Sequence, residues 1–326
     1  MAKASSSANP DGSMRPDGMF ARSSARSVAT ITGEYALIAL GVVLGVSAGN
    51  PWGYACAVFL IGTRQYALGE CMAHEASHRN LSRTTWLNEA LGIAVSWPFF
   101  FTLHGYRRFH NRLHHGIDLK DGENSIYEDY QDWGLPPDDV PLGRSAIYWH
   151  LVGKPLIGII SFRHLVKTIE DFYWDSDLLE NTAMLIFWTV VLLLAAYFGL
   201  LAGLLLYWIV PFFVVVPVLN YWSEVGDHYR VTGASTRSDL NWYVNTLVAH
   251  NIGYHGLHHY RPSIPWFRLR RAYPIFQREL QEQVSGGYWM TFCQIMVEER
   301  RLRSGKPAPP VSAPPVYVRQ GCSDNA

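Results

Sequence analysis

The longest uninterrupted feature of the chain is an apolar stretch of 43 residues, Asn181 to Ser223, that contains no Asp, Glu, Lys, Arg or His. One membrane-spanning helix needs about 20 apolar residues. The stretch therefore predicts two spans, at about residues 181–199 and 202–219, that fold back at Gly199–Gly203. Together the two spans form a hairpin across a membrane.

A second apolar stretch, Tyr35 to Thr63, has 29 residues, which is too long for one span and short for two. Gly49-Asn50-Pro51 is a turn signal near its middle. We interpret the stretch as a hairpin with spans at about residues 28–48 and 52–70; the alternative is one span followed by a buried helix. The shorter apolar segment Ala90–Leu103 predicts an interfacial or half-buried helix and not a span.

Lys and Arg are absent from both hairpin tips and concentrate in the N-terminal segment, the middle loop and the C-terminal part. By the positive-inside rule, both termini and the middle loop lie in the cytoplasm. The pattern predicts an all-α membrane protein with about four transmembrane helices in two hairpins and a cytosolic helical cap. This domain is expected at residues 28–303, between a disordered segment at 1–27 and a Pro-rich flexible tail at 304–326. A bacterial inner membrane is favoured over an ER-type membrane.

The composition is consistent with a membrane protein and argues against a nucleic-acid binder. The chain has 27 Lys and Arg and 27 Asp and Glu, whereas a nucleic-acid binder normally has a basic surplus. Charged residues make up 17% of the chain, against about 25% in soluble domains. A protein with so few charged residues is compatible with a surface that contacts lipid.

Eight of the 13 histidines lie in three short boxes, HEASH, HNRLHH and HGLHH, all on the face assigned to the cytoplasm. On a helix, residues three or four apart share one face, while adjacent residues diverge by about 100°. The spacing predicts that members of each box point the same way and that the adjacent pairs fan out to two metal ions. Imidazole suits zinc, copper, iron and nickel. The box histidines are His74, His78, His110, His114, His115, His255, His258 and His259.

Two other readings of the boxes stay open at this stage. HEASH also matches the zinc-protease pattern, with Glu75 as general base, but that reading explains two histidines and leaves six unexplained. A histidine-rich metal-storage or transport protein is a further class. Transporters usually place their ligands at membrane mid-depth, whereas these boxes lie outside the apolar segments.

The order, spacing and placement of HEASH, HNRLHH and HGLHH resemble the membrane fatty acid desaturase and hydroxylase superfamily. The resemblance covers roughly Tyr35 to Pro274. Two local stretches, HHGIDLKDGEN and NIGYHGLHHYRPSIP, look most like sphingolipid desaturases, although carotenoid ketolases share a similar third box.

The resemblance implies a pair of iron ions that activates dioxygen, with the eight box histidines as ligands. It also implies a ninth ligand, His228. Glu224 would hold a metal through water or orient His228, and Asp227 and Asn251 are further supporting candidates. Ordinary surface or interface roles are expected for His104, His150, His164 and His250.

The implied function is an oxygen-dependent oxidoreductase that introduces a double bond into an acyl or similar lipid chain. The alternative is a hydroxylase or ketolase of a lipid or carotenoid on the same scaffold. The chain has no Gly-rich dinucleotide motif and no haem signature, so a separate donor, a ferredoxin or a cytochrome, must supply electrons. The basic run Arg268, Arg270 and Arg271 would dock an acidic donor or acidic lipid headgroups, or form a solvated helix face.

Overall fold

The computed structural model describes residues 16–115, 133–174, 177–232 and 234–307. Helices dominate, and several of them continue into π-helical turns at Ala67–Met72, His110–His114, Trp149–Gly153, Leu205–Ile209 and Val244–Val248, with a 3₁₀ turn at Trp97–Phe99. The α-helices are Pro16–Met19 (α1), Ser24–Ala48 (α2), Pro51–Tyr66 (α3), Ala73–Ser77 (α4), Thr85–Ala94 (α5), Leu103–Phe109 (α6), Arg144–Tyr148 (α7), Lys154–Leu156 (α8), Ile159–Trp174 (α9), Leu178–Tyr197 (α10), Leu201–Leu204 (α11), Val210–His228 (α12), His255–Tyr260 (α13), Trp266–Phe276 (α14) and Tyr288–Arg303 (α15).

The first hairpin is formed by α2 and α3 and turns where the sequence predicts. Gly49 closes α2 in a left-handed conformation, with φ +59°, which glycine adopts without strain. The Asn50 side chain accepts the backbone N–H of Gly53, and Pro51 occupies the first turn of α3. Capping residues therefore define both helix ends at the hairpin tip.

The second hairpin joins α10 to α11 through Gly199, whose φ is +68°. Three helices are long and apolar enough to cross a membrane: Ser24–Ala48, Leu178–Tyr197 and Leu201–His228, which includes α11, a π-helical turn and α12. The all-α membrane fold is thereby confirmed. The predicted span at 52–70 is not among the three, because its α-helix has only 16 residues before the backbone becomes π-helical. That this segment crosses the membrane therefore stays a prediction.

Two boundaries differ from the sequence-based expectation. Residues 16–27, expected to be disordered, contain α1 and the start of α2, because Ser23 caps α2 and Met19 is buried near α13. Residues 1–15 and 308–326 lie outside the described residues. The apolar segment 90–103 is not one helix, since α5 ends at Ala94, Pro98 lies in the 3₁₀ turn, and α6 begins at Leu103.

A short parallel sheet lies in the cap, which the all-α expectation omits. Strand β1, Thr236–Asp239, pairs with β2, Glu282–Ser285, from Thr236 opposite Glu282 to Asp239 opposite Ser285. Both strands are polar and four residues long, so they carry no alternating apolar pattern that would mark a strand. The sheet connects the end of α12 to the segment that precedes α13.

Candidate metal centre

Box 1 lies on a helix that runs without a break out of the first hairpin. The backbone of α3 continues through the π-helical turn Ala67–Met72 into α4, which carries His74 and Glu75, and His78 caps its end. The last helix of the second hairpin, α12, likewise ends at His228. The helices of the two hairpins thus carry three of the nine candidate ligands, His74, His78 and His228.

Nine histidines converge into two groups, and within each group the candidate ligand atoms lie within 4.8 Å of one another. All nine are the histidines that the sequence analysis proposed, and in the described part of the chain neither group includes a carboxylate. The five-histidine group contains His74, His78, His110, His115 and His258; the four-histidine group contains His114, His228, His255 and His259.

The adjacent histidine pairs divide between the two groups. His114 and His259 belong to the four-histidine group, whereas their neighbours His115 and His258 belong to the five-histidine group. The rings of His115 and His259 lie 4.4 Å apart between centroids, so the two groups are close neighbours. The two side chains of each adjacent pair therefore diverge toward different groups, as the sequence predicted.

The pairing inside box 2 differs from the prediction because the box is π-helical. The backbone N–H of His115 donates to the carbonyl of His110, five residues earlier, at 3.0 Å. A π-helical turn places residues five apart on one face, so His110 joins His115 and not His114. In box 3, which is α-helical, His255 pairs with His259 and His258 points to the other group.

The spacing of the nitrogens fits a shared metal ion and does not fit hydrogen bonding. Four Nε2–Nε2 contacts of 2.7 to 3.1 Å join the five-histidine group in a row: His74 to His258, His258 to His115, His115 to His110, and His110 to His78. A neutral Nε2 has one hydrogen or one lone pair and makes one directed hydrogen bond. Five such atoms form at most two hydrogen bonds. Nitrogens about 2.1 Å from one metal ion lie about 3.0 Å apart at right angles.

The nitrogens of the four-histidine group are also spaced as the ligands of a shared metal ion would be. His255 Nε2 lies 2.8 Å from His228 Nε2. The Nε2 of His259 is buried and has no hydrogen-bond partner among the described residues. A buried, unpaired imidazole nitrogen is costly unless it binds something. A metal ion held by this group would satisfy it.

The electrostatics keep the box histidines neutral, as metal ligation requires. Burial lowers the pKa of every box histidine, and neighbouring histidines lower most of them further. The pKa falls to about 3 for His78 and to about 4 for His115. Each ring therefore offers a nitrogen lone pair at neutral pH.

The three supporting candidates of the sequence analysis have different surroundings. Asp227 Oδ2 lies 3.7 Å from Nδ1 of His255 and accepts a hydrogen bond from Ser223 at 3.2 Å. Glu224 is half-buried and belongs to neither histidine group. Asn251 has φ +66° and donates its backbone N–H to the carbonyl of Asn245. Asp227 thus lies beside a candidate ligand.

Several positioning residues were not predicted from the sequence. Arg237 is fully buried and donates to the carbonyls of Gly226, Tyr229 and Arg230 at the end of α12, which fixes the backbone around His228. The ring of His228 is oriented by its Nδ1, which donates to the carbonyl of Ser235 at 3.2 Å. An isolated arginine in a polar loop gives no signal of such a role.

A second positioning network supports box 3 and the junction of boxes 1 and 2. Gly256 donates its N–H to Ser238 Oγ at 2.9 Å, and the Glu282 carboxylate accepts from both Ser238 and Tyr273. Between the other boxes, Arg107 donates to the carbonyls of Ala76 and Ser77, at 3.0 and 3.1 Å. The network residues are polar and far apart in the sequence, so only the fold brings them together.

The four remaining histidines lie outside both groups in the described structure. His104 Nδ1 contacts Glu180 at 2.7 Å, and His250 Nε2 contacts Glu34 at 2.9 Å. His164 packs on the ring of Phe212, and His150 lies on the π-helical turn after α7. Their positions agree with the ordinary roles expected for them.

The structure does not favour the zinc-protease reading of box 1. Glu75 is fully buried, and its Oε2 accepts the backbone N–H of Trp266 at 3.0 Å. Burial raises the pKa of Glu75 to about 8, so the carboxyl is largely protonated at neutral pH. A protonated carboxyl bound to the backbone of α14 is not a free general base.

A sequence model of the fatty acid desaturase family matches residues 49–292, about three quarters of the chain. The chain belongs to the fatty acid desaturase family. It is accordingly an oxidoreductase of the desaturase class and a membrane protein, and the family resemblance stated from the three boxes is confirmed.

Curated relatives agree with this assignment. The dihydrorhizobitoxine desaturase of Bradyrhizobium elkanii is 29% identical over 75% of this chain and 73% of its own length. The sn-1 oleoyl-lipid 12-desaturase of Arthrospira platensis is 21% identical over 86% and 82%. The sn-1 acyl-lipid omega-3 desaturase (ferredoxin) of Nostoc sp. is 25% identical over 65% and 64%. None of these three is named for a sphingolipid, so the local sphingolipid-like motifs stay a prediction.

Proposed function

We propose that this protein introduces a carbon–carbon double bond into the acyl chain of a membrane lipid. In the balanced reaction, a –CH2–CH2– unit, dioxygen, two electrons and two protons give –CH=CH– and two water molecules. The observation that carries the proposal is the pair of adjacent histidine groups at the end of apolar helices. The acyl-lipid relatives support the substrate class.

The nine histidines would hold two iron ions, one in each group. Such a centre, when loaded, activates dioxygen for the removal of hydrogen from an unactivated C–H bond. Five imidazoles exceed the four ligands of a tetrahedral zinc site, which favours a metal that accepts a higher coordination number. The carbonyl of Ser235 would orient His228, while Asp227 lies 3.7 Å from Nδ1 of His255.

Most of the candidate ligands are buried, which suits a dry reaction, and an apolar groove at the second hairpin suits an apolar substrate. Of the nine histidines, His74, His110, His114, His228, His255 and His258 are buried. An apolar groove of about 480 Å³ lies between α10 and α11, lined by Phe100, Trp188 and leucine side chains among others. A groove of this kind, open to the bilayer, would accept an acyl chain from the membrane.

The electrons would come from a separate ferredoxin. A relative is named as a ferredoxin-dependent acyl-lipid desaturase, and the chain contains no dinucleotide motif of its own. With Lys and Arg absent from both hairpin tips, the boxes and both termini would face the cytoplasm, where such a donor is present. The bacterial inner membrane is the compartment we propose.

The direct test is expression of the chain with a matched ferredoxin, followed by profiling of lipids and polar metabolites. A desaturase product has lost two hydrogens, whereas a hydroxylase product has gained one oxygen, so mass separates them. A new unsaturated acyl lipid supports the proposal. Unsaturation confined to a molecule other than an acyl lipid would replace the substrate class; dihydrorhizobitoxine, for which the Bradyrhizobium relative is named, is one compound to test.

The ligand assignment has its own test, with one histidine from each group. His114→Ala and His258→Ala should each lower the iron content of the purified membrane protein and abolish product formation. His150→Ala is the matched control, because His150 is partly buried but belongs to neither group. Full iron content and activity in both ligand variants would disprove the assignment.

A further inference from the structure

Four arginines from three distant segments meet on one face of the cap. The guanidinium carbons of Arg26 and Arg268 lie 5.0 and 5.3 Å from the centre of the same Phe267 ring. Arg268 Nε also donates to the carbonyl of Ala21 at 2.9 Å, which ties α14 to the residues before α2. Arg83 and Arg271 are close enough to act electrostatically on Arg268. These four residues, Arg26, Arg83, Arg268 and Arg271, are called the arginine cluster.

The cluster has no counter-charge in the described part of the protein. None of its four members forms an ion pair with a described carboxylate, whereas Arg64, Arg107, Arg230 and Arg301 each do. Burial, together with Arg26, Arg271 and Arg83, lowers the pKa of Arg268. Like charges held together on a fold repel one another, and an anion bound between them would relieve that repulsion.

The position of the cluster at the end of a candidate membrane span indicates the source of that anion. Arg26 lies in the first turn of α2, a helix long and apolar enough to cross a membrane, so it lies at the level of the headgroups. Ser24 Oγ is 2.9 Å from Ser82 Oγ, which places the turn that carries Arg83 beside the same helix end. Trp86, one turn after Arg83, is 69% exposed, as is typical of an aromatic residue at a membrane interface.

We propose that the arginine cluster binds the phosphate of an anionic phospholipid and thereby holds α14 against the membrane surface. Charge complementarity and continuity with the end of α2 support this occupant over an acidic electron donor. The sequence alone grouped Arg268 with Arg270 and Arg271; in the structure Arg26, Arg271 and Arg83 act on Arg268, while Arg270 acts on Tyr254. The proposal concerns membrane contact and does not depend on the reaction that the histidine groups catalyse.

The experiment uses the full-length protein in nanodiscs of phosphatidylcholine with a minor fraction of phosphatidylglycerol. Phospholipids that stay bound after detergent extraction are counted by mass spectrometry. Arg83→Gln/Arg271→Gln removes two charges at exposed positions for which no hydrogen bond is described. Each arginine near an anionic surface changes the preference for an anionic lipid about fivefold. The preference of the double variant for phosphatidylglycerol over phosphatidylcholine should therefore be lower than that of the wild type by about tenfold or more.

Arg270→Gln/Arg300→Gln is the matched control, since it also removes two exposed arginines and leaves the cluster intact. It should keep the wild-type lipid preference, as should the charge-conserving Arg83→Lys/Arg271→Lys. Equal preference in the wild type and Arg83→Gln/Arg271→Gln would overturn the proposal. So would a rise in the KM for ferredoxin in that variant with unchanged lipid preference, which would identify the cluster as a protein-docking surface.

Discussion

Replacement of Gly256 by alanine tests whether the sheet positions the third box. Gly256 lies between His255 and Leu257 on α13, and an added Cβ would come within 2.0 Å of Glu282 Oε2 and 3.0 Å of Glu282 Cβ. Real Cβ atoms do not approach other atoms so closely, so either Glu282 or α13 must move. Glu282 is itself held by Ser238 and Tyr273 inside the protein.

The loss of folding free energy in Gly256→Ala can be estimated from these contacts. Overpacking a close-packed site costs about 1–3 kcal/mol. If Glu282 rotates away, its two hydrogen bonds are lost, at about 0.5–1.5 kcal/mol each. On either route, Gly256→Ala should destabilise the protein by about 1–3 kcal/mol. Any shift of α13 also moves His255, His258 and His259 away from the two groups, and a displacement of about 1 Å at a site of this kind costs activity about 100-fold.

The assay combines the thermal midpoint of the detergent-solubilised protein with iron content and product formation. Gly33→Ala is the matched control, because Gly33 lies in α2 with no atom within 4 Å of an added Cβ. It should leave all three readouts unchanged or raise the midpoint slightly, since alanine favours a helix over glycine by about 1 kcal/mol.

A double-mutant cycle identifies the contact responsible. Gly256→Ala should cost less in a Glu282→Ala background, because the carboxylate that the new methyl group meets is gone. If Gly256→Ala costs the same free energy in both backgrounds, or leaves iron content unchanged, the proposed positioning of box 3 by β2 is wrong.

Three further predictions concern the metal and its supports. Glu75→Gln should keep activity, because the amide oxygen still accepts the N–H of Trp266; a loss of more than about 100-fold, as expected for a general base, would contradict this. Arg237→Lys should lower iron content and the thermal midpoint, because lysine cannot reproduce the guanidinium contacts to three carbonyls near His228. Chelation should lower the thermal midpoint, with recovery on added ferrous ion, since binding to the native state stabilises it; an unchanged midpoint would count against a metal held by these histidines.

The spans and the candidate ligands were accessible from the sequence for simple reasons. A stretch without charges, such as Asn181–Ser223, is rare outside membranes, and its length sets the number of helices. Histidines at short spacing are equally conspicuous. The sequence also indicated that adjacent histidines serve different metal ions, since side chains one residue apart diverge on any helix.

The geometry of box 2 was not accessible in the same way. HNRLHH has the same i, i+4 spacing as HEASH, yet its backbone takes a π-helical turn and HEASH lies on an α-helix. The residues beside this turn make tertiary contacts that the spacing does not encode, among them the bonds from Arg107 to the carbonyls at the end of box 1. Local spacing therefore identified the candidate ligands but not which of them lie in the same group.

The contacts that position box 3 were also not predictable from local spacing. His74 and His228 are carried by helices that extend from the membrane hairpins, so their positions follow from packing of long apolar segments. Box 3 lies on α13, which has only six residues and no side-chain cap at its first residue. A helix this short is not stable alone. Ser238 on β1 accepts the N–H of Gly256 and donates to Glu282 on β2, so two polar strands without a sequence signal support three of the nine candidate ligands.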